Sequence, residues 1–344
     1  VLGGVRVLVL GGTAWLGGEV ARAAVAAGHR VTCLARGGSG PMPDGARAVR
    51  ADRDLPTGLD GVTGQEWDLA VDVSRQPGQV RRAARALADR CAHAVFVSTG
   101  NVYADHSVAG ADESAPLLAP LAGDTMTSME DYGPAKVACE QHMLAAFGPE
   151  RCVLARPGLI GGPGDTSGRT GYWPLRFAHP STPDGAVLVP DAPDLPCQVI
   201  DVRDLAVWLI DAGLGRVGGA FNAVGETVRL ADHLQVAREV AGHAGPIIAA
   251  GEQWLIAHGV QEWMGERSLP LWLHDPGFAG FTSTSSARAR AAGLRTRPLA
   301  DTLADVLAWE LAQGVDRPRG AGLSREDERA LLAEARPNGR PPGR

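Results

Sequence analysis

The first 35 residues leave this chain few choices of fold. Val5 to Leu10 (VRVLVL) is a short β-rich run that stops at Gly11–Gly12. Residues from about Leu16 to Ala27 then take helical spacing with many alanines and end at Gly28, where a C′ glycine belongs. Val31 to Ala35 (VTCLA) reads as a second strand. A strand, a glycine turn, a helix and a strand within about 30 residues make a βαβ unit. Such a unit commits its two strands to the same direction, because a parallel connection needs a crossover of this length.

The turn runs Gly11, Gly12, Thr13, Ala14, Trp15, Leu16, Gly17, Gly18. Glycines there let the chain turn sharply and bring backbone N–H groups up to a pyrophosphate at the helix N-terminus. An ordinary glycine-rich strand-to-helix turn would look similar, so the turn alone suggests a dinucleotide without proving one. The end of the second strand sets the cofactor expectation. It carries Ala35 and Arg36 with no acid beside them. An acid would suit the ribose hydroxyl of NAD, whereas an arginine suits the 2′-phosphate of NADP. NADP is therefore the preferred expectation and NAD the alternative.

Further strands recur with helices between them. Ala46–Ala51 leads to Asp52, Leu69–Val73 leads to Ser74 and a polar helix from about Gln76 to Arg90, and Ala94–Ser98 leads to Thr99. Cys152–Ala155 leads to Pro157. Alternating β and α segments predict an α/β fold with a doubly wound parallel sheet. In such sheets ligands sit beyond the C-terminal strand ends, where Gly11, Arg36, Asp52, Ser74, Thr99 and Pro157 all fall. After Pro157 the texture becomes rich in Gly, Pro and Asp. A smaller C-terminal substrate lobe is expected over residues 161–197 and 226–336. The dinucleotide-binding domain is expected over 1–160, with a return segment at about 198–225, a strand at Ala220–Val224 and a frayed tail over 337–344.

The chain has a single lysine, Lys136, and every other basic side chain counted with it is arginine. Tyr132 lies four residues before it, which on a helix puts both side chains on one face. A free tyrosine titrates near pH 10, and a nearby ammonium favours the phenolate and lowers that value. A tyrosine tuned this way exchanges a proton with a carbonyl or alcohol oxygen. The plain competitor is a surface lysine near a core tyrosine. Pro134 requires the helix to start near Asp131, or else to be distorted beside the tyrosine.

Net charge is −6, which gives no reason to expect nucleic acid or an anionic membrane as partner. The five cysteines are scattered and lack zinc or redox spacing, so a reduced, cytoplasmic setting and no metal are expected. No apolar run approaches about 18 residues, so no membrane span is expected.

Five segments in order resemble an extended short-chain dehydrogenase/reductase of the NAD-dependent epimerase/dehydratase type. They are GGTAWLG at Gly11–Gly17, VDVSR at Val71–Arg75, VSTGNVY at Val97–Tyr103, YGPAK at Tyr132–Lys136 and RPGLIGGPGD at Arg156–Asp165. The resemblance covers nearly the whole chain. It implies a catalytic set of Thr99, Tyr132 and Lys136. Thr99 would hydrogen-bond the substrate oxygen, Tyr132 would exchange the proton and Lys136 would hold the nicotinamide ribose. It also implies Pro157 against the nicotinamide, Ser74 near the ribose and Asp52 near the adenine. Asn101, Arg169, Tyr172, Trp173 and Arg176 fall where the family often holds substrate. Trp173 and Phe177, four apart, read equally well as core of the smaller lobe. A helix-paired homodimer is common in the family.

Two departures shape the expected activity. Ala14 replaces the family's middle glycine, a change shared with relatives recruited to non-redox roles, including RNA binding. Gly100 and Asn101 stand where sugar 4,6-dehydratases of the family carry an Asp-Glu pair, so water elimination lacks its acid/base groups. A ketone or aldehyde reductase acting on a small molecule is the expected function. A nucleotide-sugar epimerase with bound NAD and a non-catalytic binder are the alternatives. The retained Thr99, Tyr132 and Lys136 speak against the binder.

Overall fold

The computed structural model describes residues 4–335, so the tail expected from Pro337 lies outside the described residues. The chain divides into two compact units. Of the described residues, one unit comprises 4–160, 202–225 and 284–296, and the other 161–201, 226–283 and 297–335. Residues 284–296, expected in the smaller lobe, cluster with the first unit.

In the first stretch, β1 (Arg6–Leu10), α1 (Trp15–Ala26), β2 (Arg30–Ala35), β3 (Arg47–Arg50) and the single turn α2 (Asp60–Thr63) follow in order. Then come β4 (Trp67–Asp72), α3 (Pro77–Leu87), β5 (Cys91–Val97), α4 (Tyr132–Phe147), β6 (Cys152–Ala155) and β7 (Leu159–Gly161). The second unit opens with α5 (Tyr172–Ala178), β8 (Val187–Pro190) and β9 (Pro196–Asp201). The chain returns to the first unit for α6 (Val202–Leu214) and β10 (Gly219–Phe221). The second unit then gains β11 (Thr227–Arg229), α7 (Leu230–Val240), β12 (Ile247–Ala250) and α8 (Glu252–Ala257). Finally α9 (Ala287–Ala291) belongs to the first unit, and α10 (Leu299–Gln313) and α11 (Arg325–Ala335) to the second.

The first unit is a Rossmann-like α/β fold. Its seven strands are all parallel, in the order β10-β6-β5-β4-β1-β2-β3. The winding reverses between β1 and β4, and such a switch point opens a crevice at the C-terminal strand ends. Side-chain alternation divides the core between two faces. Leu8, Leu10, Ala70, Ala94 and Phe96 pack with Val80, Ala83 and Leu87 of α3 and with Cys139, Met143 and Phe147 of α4. On the other face Gly213 of α6 lets the helix lie against the sheet. A Cβ there would meet Leu69 Cδ1 at 2.5 Å and Val95 Cγ2 at 2.9 Å. Because both faces are covered, β1 reads as a near-continuous apolar run, and Val7, Leu8 and Val9 are fully buried. Truncating one such leucine to alanine costs about 2–5 kcal/mol.

Pro134 is accommodated by the start of α4. The helix begins at Tyr132, so the proline sits in the first turn, where a missing N–H breaks no intrahelical bond. Ala135 N donates to Asp131 O at 2.8 Å immediately after it. The strand expected over Ala220–Val224 spans Gly219–Phe221, and the parallel hydrogen bonding to the β6 side carries on through Arg156 N to Phe221 O at 2.8 Å and Ala223 N to Arg156 O at 3.1 Å.

The second unit holds elements that the sequence pattern hides. β8 and β12 pair in parallel from Val187↔Ile247 to Pro190↔Ala250, although each strand has only four residues. β9 and β11 pair antiparallel. The aromatic insertion at 172–178 is the helix α5, and the charged segment at 325–335 is α11.

Candidate functional site at the ends of β1, β4 and β5

The glycine turn is fixed by close contacts. Gly11 takes φ +94°, a region that favours glycine. A Cβ on Gly17 would stand 2.2 Å from Gly11 O, and one on Gly12 2.5 Å from Cys33 Sγ. Ala14 is different. It is the N-cap of α1 with φ −73° and ψ 157°, an extended conformation that any L-residue adopts. Its methyl group therefore brings no backbone strain, and the departure from glycine at this position leaves the turn intact. Trp15 and Leu16 open α1 directly after it. Gly11, Thr13 and Ala14 line a cleft of about 110 Å³ together with Arg36, Asp52 and Arg53. Arg36 is exposed at its rim.

Arg53 was not among the residues singled out from the sequence. It is only 8% exposed. Its Nη1 donates to Asp72 Oδ2 at 2.9 Å, and its Nη2 donates to Ser74 Oγ. Ser74 closes the cluster, with its N–H donating to Asp72 Oδ1 at 2.9 Å and its hydroxyl to the same oxygen. Ser74, read from the sequence as a ribose contact, thus spends its hydroxyl on Asp72 and Arg53. The neighbouring Asp52 accepts from Asp54 N at 3.0 Å and lines the cleft.

Lys136 lies one helical turn after Tyr132 and is 2% exposed. Its ammonium donates to Ser74 O at 2.7 Å and Val97 O at 2.5 Å, and stands 4.4 Å over the Phe96 ring. The lysine thereby ties α4 to the ends of β4 and β5. Burial lowers its pKa to about 8 against the pull of Cys139, Asp72 and Glu140, while Arg75 pushes the same way as burial. A planar guanidinium carries five donors in a rigid fork and would not be satisfied by two carbonyls in so closed a place.

Thr99 follows β5 and caps a short 3-10 turn over Gly100–Val102. Its hydroxyl donates to Asn101 Oδ1 at 3.0 Å and accepts from Asn101 N at 3.3 Å. Asn101, read from the sequence as a substrate contact, holds the Thr99 hydroxyl in place. Pro157 accepts from Gly100 N at 2.8 Å, which joins the end of β6 to this turn. Ser98 is buried, and its Oγ has no hydrogen-bond partner among the described residues. Tyr132 is half-buried at the first position of α4.

A second buried network stands behind this one. Arg156 makes a bidentate pair with Glu140 of α4, at 2.9 and 2.7 Å, and donates to Tyr103 Oη at 3.1 Å. Tyr103 donates to Asn222 Oδ1 at 2.6 Å. The pair fixes α4 one turn beyond Lys136 against the end of β6.

The substrate loop expected from the sequence is placed otherwise. Trp173 is fully buried in the second unit, with its indole N–H on Pro270 O at 2.8 Å and its ring 6.3 Å from Phe177. Arg176 pairs with the buried Glu328 at 3.0 Å and donates to Leu323 O at 2.6 Å. Tyr172 is buried beside Trp173. These three side chains are core residues because α5 buries its faces, as the four-residue spacing of Trp173 and Phe177 allowed. Arg169 lies 5.5 Å over the Trp263 ring, with Nε donating to Ser167 Oγ at 3.2 Å. Among the described residues no group of three or more His, Cys, Asp or Glu side chains is arranged to hold a metal ion, and no helix is long and apolar enough to cross a membrane.

No family model matches the chain. A segment of 194 residues, 54% of this chain, is 31% identical to a 2′-dehydrokanamycin reductase from Streptomyces kanamyceticus, and spans about half (52%) of that relative. Solved structures match over nearly the whole length. A protein from Burkholderia cenocepacia J2315 proposed to be an epimerase gives a TM-score of 0.66 at 19% identity, covering 89% of this chain and 98% of that one. The NAD-dependent NDP-hexosamine 5,6-dehydratase TunA gives 0.63 at 17% identity, covering 91% and 100%. The UDP-glucuronic acid 4-epimerase from Bacillus cereus, solved in complex with NAD, gives 0.63 at 14% identity, covering 90% and 99%. At these identities the shared property is the fold.

Proposed function

We propose that the chain is a nicotinamide-dependent oxidoreductase that reduces a ketone on a sugar-like ring, with NADPH as preferred donor. The observation that carries this reading is the placement of Lys136. The only ammonium side chain is buried at the switch side of the sheet, held by two strand-end carbonyls one helical turn from Tyr132. A structural lysine would be expected to find a carboxylate, and this one is hydrogen-bonded to neutral acceptors.

The residues present fit a dinucleotide. Gly11, Gly12 and Gly17 leave no room for a Cβ where a pyrophosphate approaches the start of α1. Thr13, Ala14, Trp15 and Leu16 would complete that cradle. Asp52 would meet the adenosine, Arg36 a 2′-phosphate, Pro157 the nicotinamide, and the remaining N–H of Lys136 the ribose beside it. When bound, the cofactor supplies the hydride. Tyr132 gives its phenolic proton to the substrate oxygen as that oxygen gains charge, and the Lys136 ammonium stabilises the phenolate that remains. Thr99, whose single O–H rests on Asn101 Oδ1, would have to turn that hydrogen to the same oxygen to fix the carbonyl in place.

The named activity of the Streptomyces relative supports a keto group on an aminoglycoside-type ring as the substrate class. Calorimetry of NADPH and NADH on wild type and Arg36→Ala tests the cofactor reading. NADPH is expected to bind about tenfold tighter or better, and the substitution to remove most of that margin. Equal affinities in the wild type would overturn the NADP preference. An epimerase would instead retain NAD through purification and turn over with no net consumption of NADPH.

A further inference from the structure

The cluster at the mouth of the cleft and the lysine behind it share one atom group, the Ser74 peptide. Arg53 and Asp72 grip the Ser74 side chain, and Ser74 O receives the Lys136 ammonium. Asp72 is the buried carboxylate that the Arg53 guanidinium neutralises, at 2.9 Å. We propose that Arg53 is a positioning residue for Lys136, fixing the Ser74 carbonyl that holds the ammonium and keeping Asp72 occupied so that the lysine retains its free N–H.

The geometry gives Asp72 two cations to choose from. It ends β4, two residues before the carbonyl that binds Lys136. Its Oδ2 is taken by Arg53, and its Oδ1 accepts from both the N–H and the hydroxyl of Ser74. The carboxylate is therefore held by Arg53 and Ser74. The groups that act on the lysine from the elements around it are Asp72 at the end of β4, Arg75 beyond it, and Cys139 and Glu140 on α4. Glu140 is already paired with Arg156. Asp72 is thus the carboxylate whose claim on Lys136 depends on Arg53. Removing Arg53 leaves a buried carboxylate in search of a cation, and removing Asp72 leaves the guanidinium as an uncompensated charge on the same side of the lysine.

The reading of Lys136 as a reaction group underlies the functional meaning of this proposal, but the test does not depend on activity. Because the chain has one lysine, protein labelled with ¹³C at lysine Cε gives one side-chain resonance whose pH titration reports Lys136 alone. Arg53→Met is expected to move the midpoint up by about one pH unit, and Asp72→Asn to move it down by a similar amount. The double variant Arg53→Met/Asp72→Asn is expected to lie between the two, close to wild type. Midpoints that coincide in wild type and both single variants overturn the proposal. So do midpoints that shift in the same direction, which is what loosened packing would produce. Where Arg53→Met does not fold, Asp72→Asn and the double variant decide. A double variant midpoint above that of Asp72→Asn supports the proposal, and one equal to or below it overturns it.

Discussion

Two helices of this molecule carry a tyrosine with a cation four residues on. In α4 the pair is Tyr132 and Lys136, and in α5 it is Tyr172 and Arg176. Sequence spacing alone does not separate them. In α5 the cation finds a carboxylate, Glu328, and a carbonyl, and the tyrosine is buried. Burial pushes the Tyr172 phenol well above its usual range, with Arg176 only partly opposing it. In α4 the cation finds two neutral carbonyls, its neighbouring carboxylates are held by Arg53 and Arg156, and the tyrosine is only partly buried. A pair whose charge is compensated holds a fold together. A pair whose ammonium is desolvated and left without its own counter-ion remains available to a reacting oxygen.

The largest test of that contrast is Tyr132→Phe. Loss of the proton donor is expected to lower kcat by about 10²–10⁴-fold on a ketone substrate. Circular dichroism and the melting temperature should stay near wild type, because the half-buried ring is retained. Turnover within a few-fold of wild type would remove the tyrosine from the chemistry.

Next in size is the compensated pair. Glu328→Gln leaves Arg176 buried without its carboxylate, and breaking such a pair costs about 3–5 kcal/mol. Glu328 Oε1 also accepts from Leu188 N at 3.1 Å, a bond that the glutamine amide oxygen can keep, so the loss falls on the Arg176 side. Chemical denaturation should show the loss, while the pH dependence of kcat in the folded variant should match wild type. A shifted profile would mean that the second pair also reaches the reaction.

The third test uses the sign of the Lys136 titration. Its folded pKa of about 8 lies below the free value of 10.5. Between those values the unfolded chain binds the proton that the folded chain has released, so this group makes stability rise with pH. The gain across the window is about 3 kcal/mol. The buried thiols act oppositely. Burial raises Cys91, Cys139, Cys152 and Cys197 to about 12, so their contribution falls as pH climbs past the unfolded thiol value. Lys136 itself acts on the Cys139 thiol, so the comparison of Lys136 with Lys136→Met is made in a Cys139→Ala background, where the effect of the remaining thiols cancels. The stability difference, lysine minus methionine, should grow by about 3 kcal/mol from pH 8 to pH 10.5. A flat difference would mean that the lysine titrates as it does in water.

How far the sequence reached follows the same physical division. Gly11, Gly12 and Gly17 were legible because their contacts lie within one βαβ unit, and a missing side chain is itself a signal. The parallel sheet was legible because its central strands are covered on both faces and are largely apolar. Lys136 stood out through its uniqueness. Arg53 was not legible. In Ala51-Asp52-Arg53-Asp54 it looks like a solvated loop arginine, and only the arrival of β4 from 19 residues away supplies its carboxylate. Tyr172, Trp173 and Arg176 were read towards substrate because a loop rich in glycine surrounds them. Burial by Pro270, Leu323 and Glu328, distant in sequence, decided otherwise. β8 escaped notice because four residues ending in proline show no periodicity, and α11 because its many charges mask the apolar Leu331 and Leu332 that it buries.

The smallest expected effect is the most direct check on the contrast. Tyr172→Phe deletes a phenolic oxygen that is buried without a hydrogen-bond partner among the described residues. Removing an unsatisfied buried polar atom is near neutral or mildly stabilising, whereas removing a satisfied one costs about 1 kcal/mol. The ring itself stays, and with it the edge contact to Trp173 at 4.9 Å and the Arg176 guanidinium 5.3 Å over its face. Stability should therefore change by less than about 1 kcal/mol, and kcat should not change at all. The same deletion, one hydroxyl from one tyrosine four residues before a cation, is then nearly silent in α5 and disabling in α4. If Tyr172→Phe instead lowered turnover as Tyr132→Phe does, the environment of the cation would not be what separates the two helices, and the reaction would have to involve both.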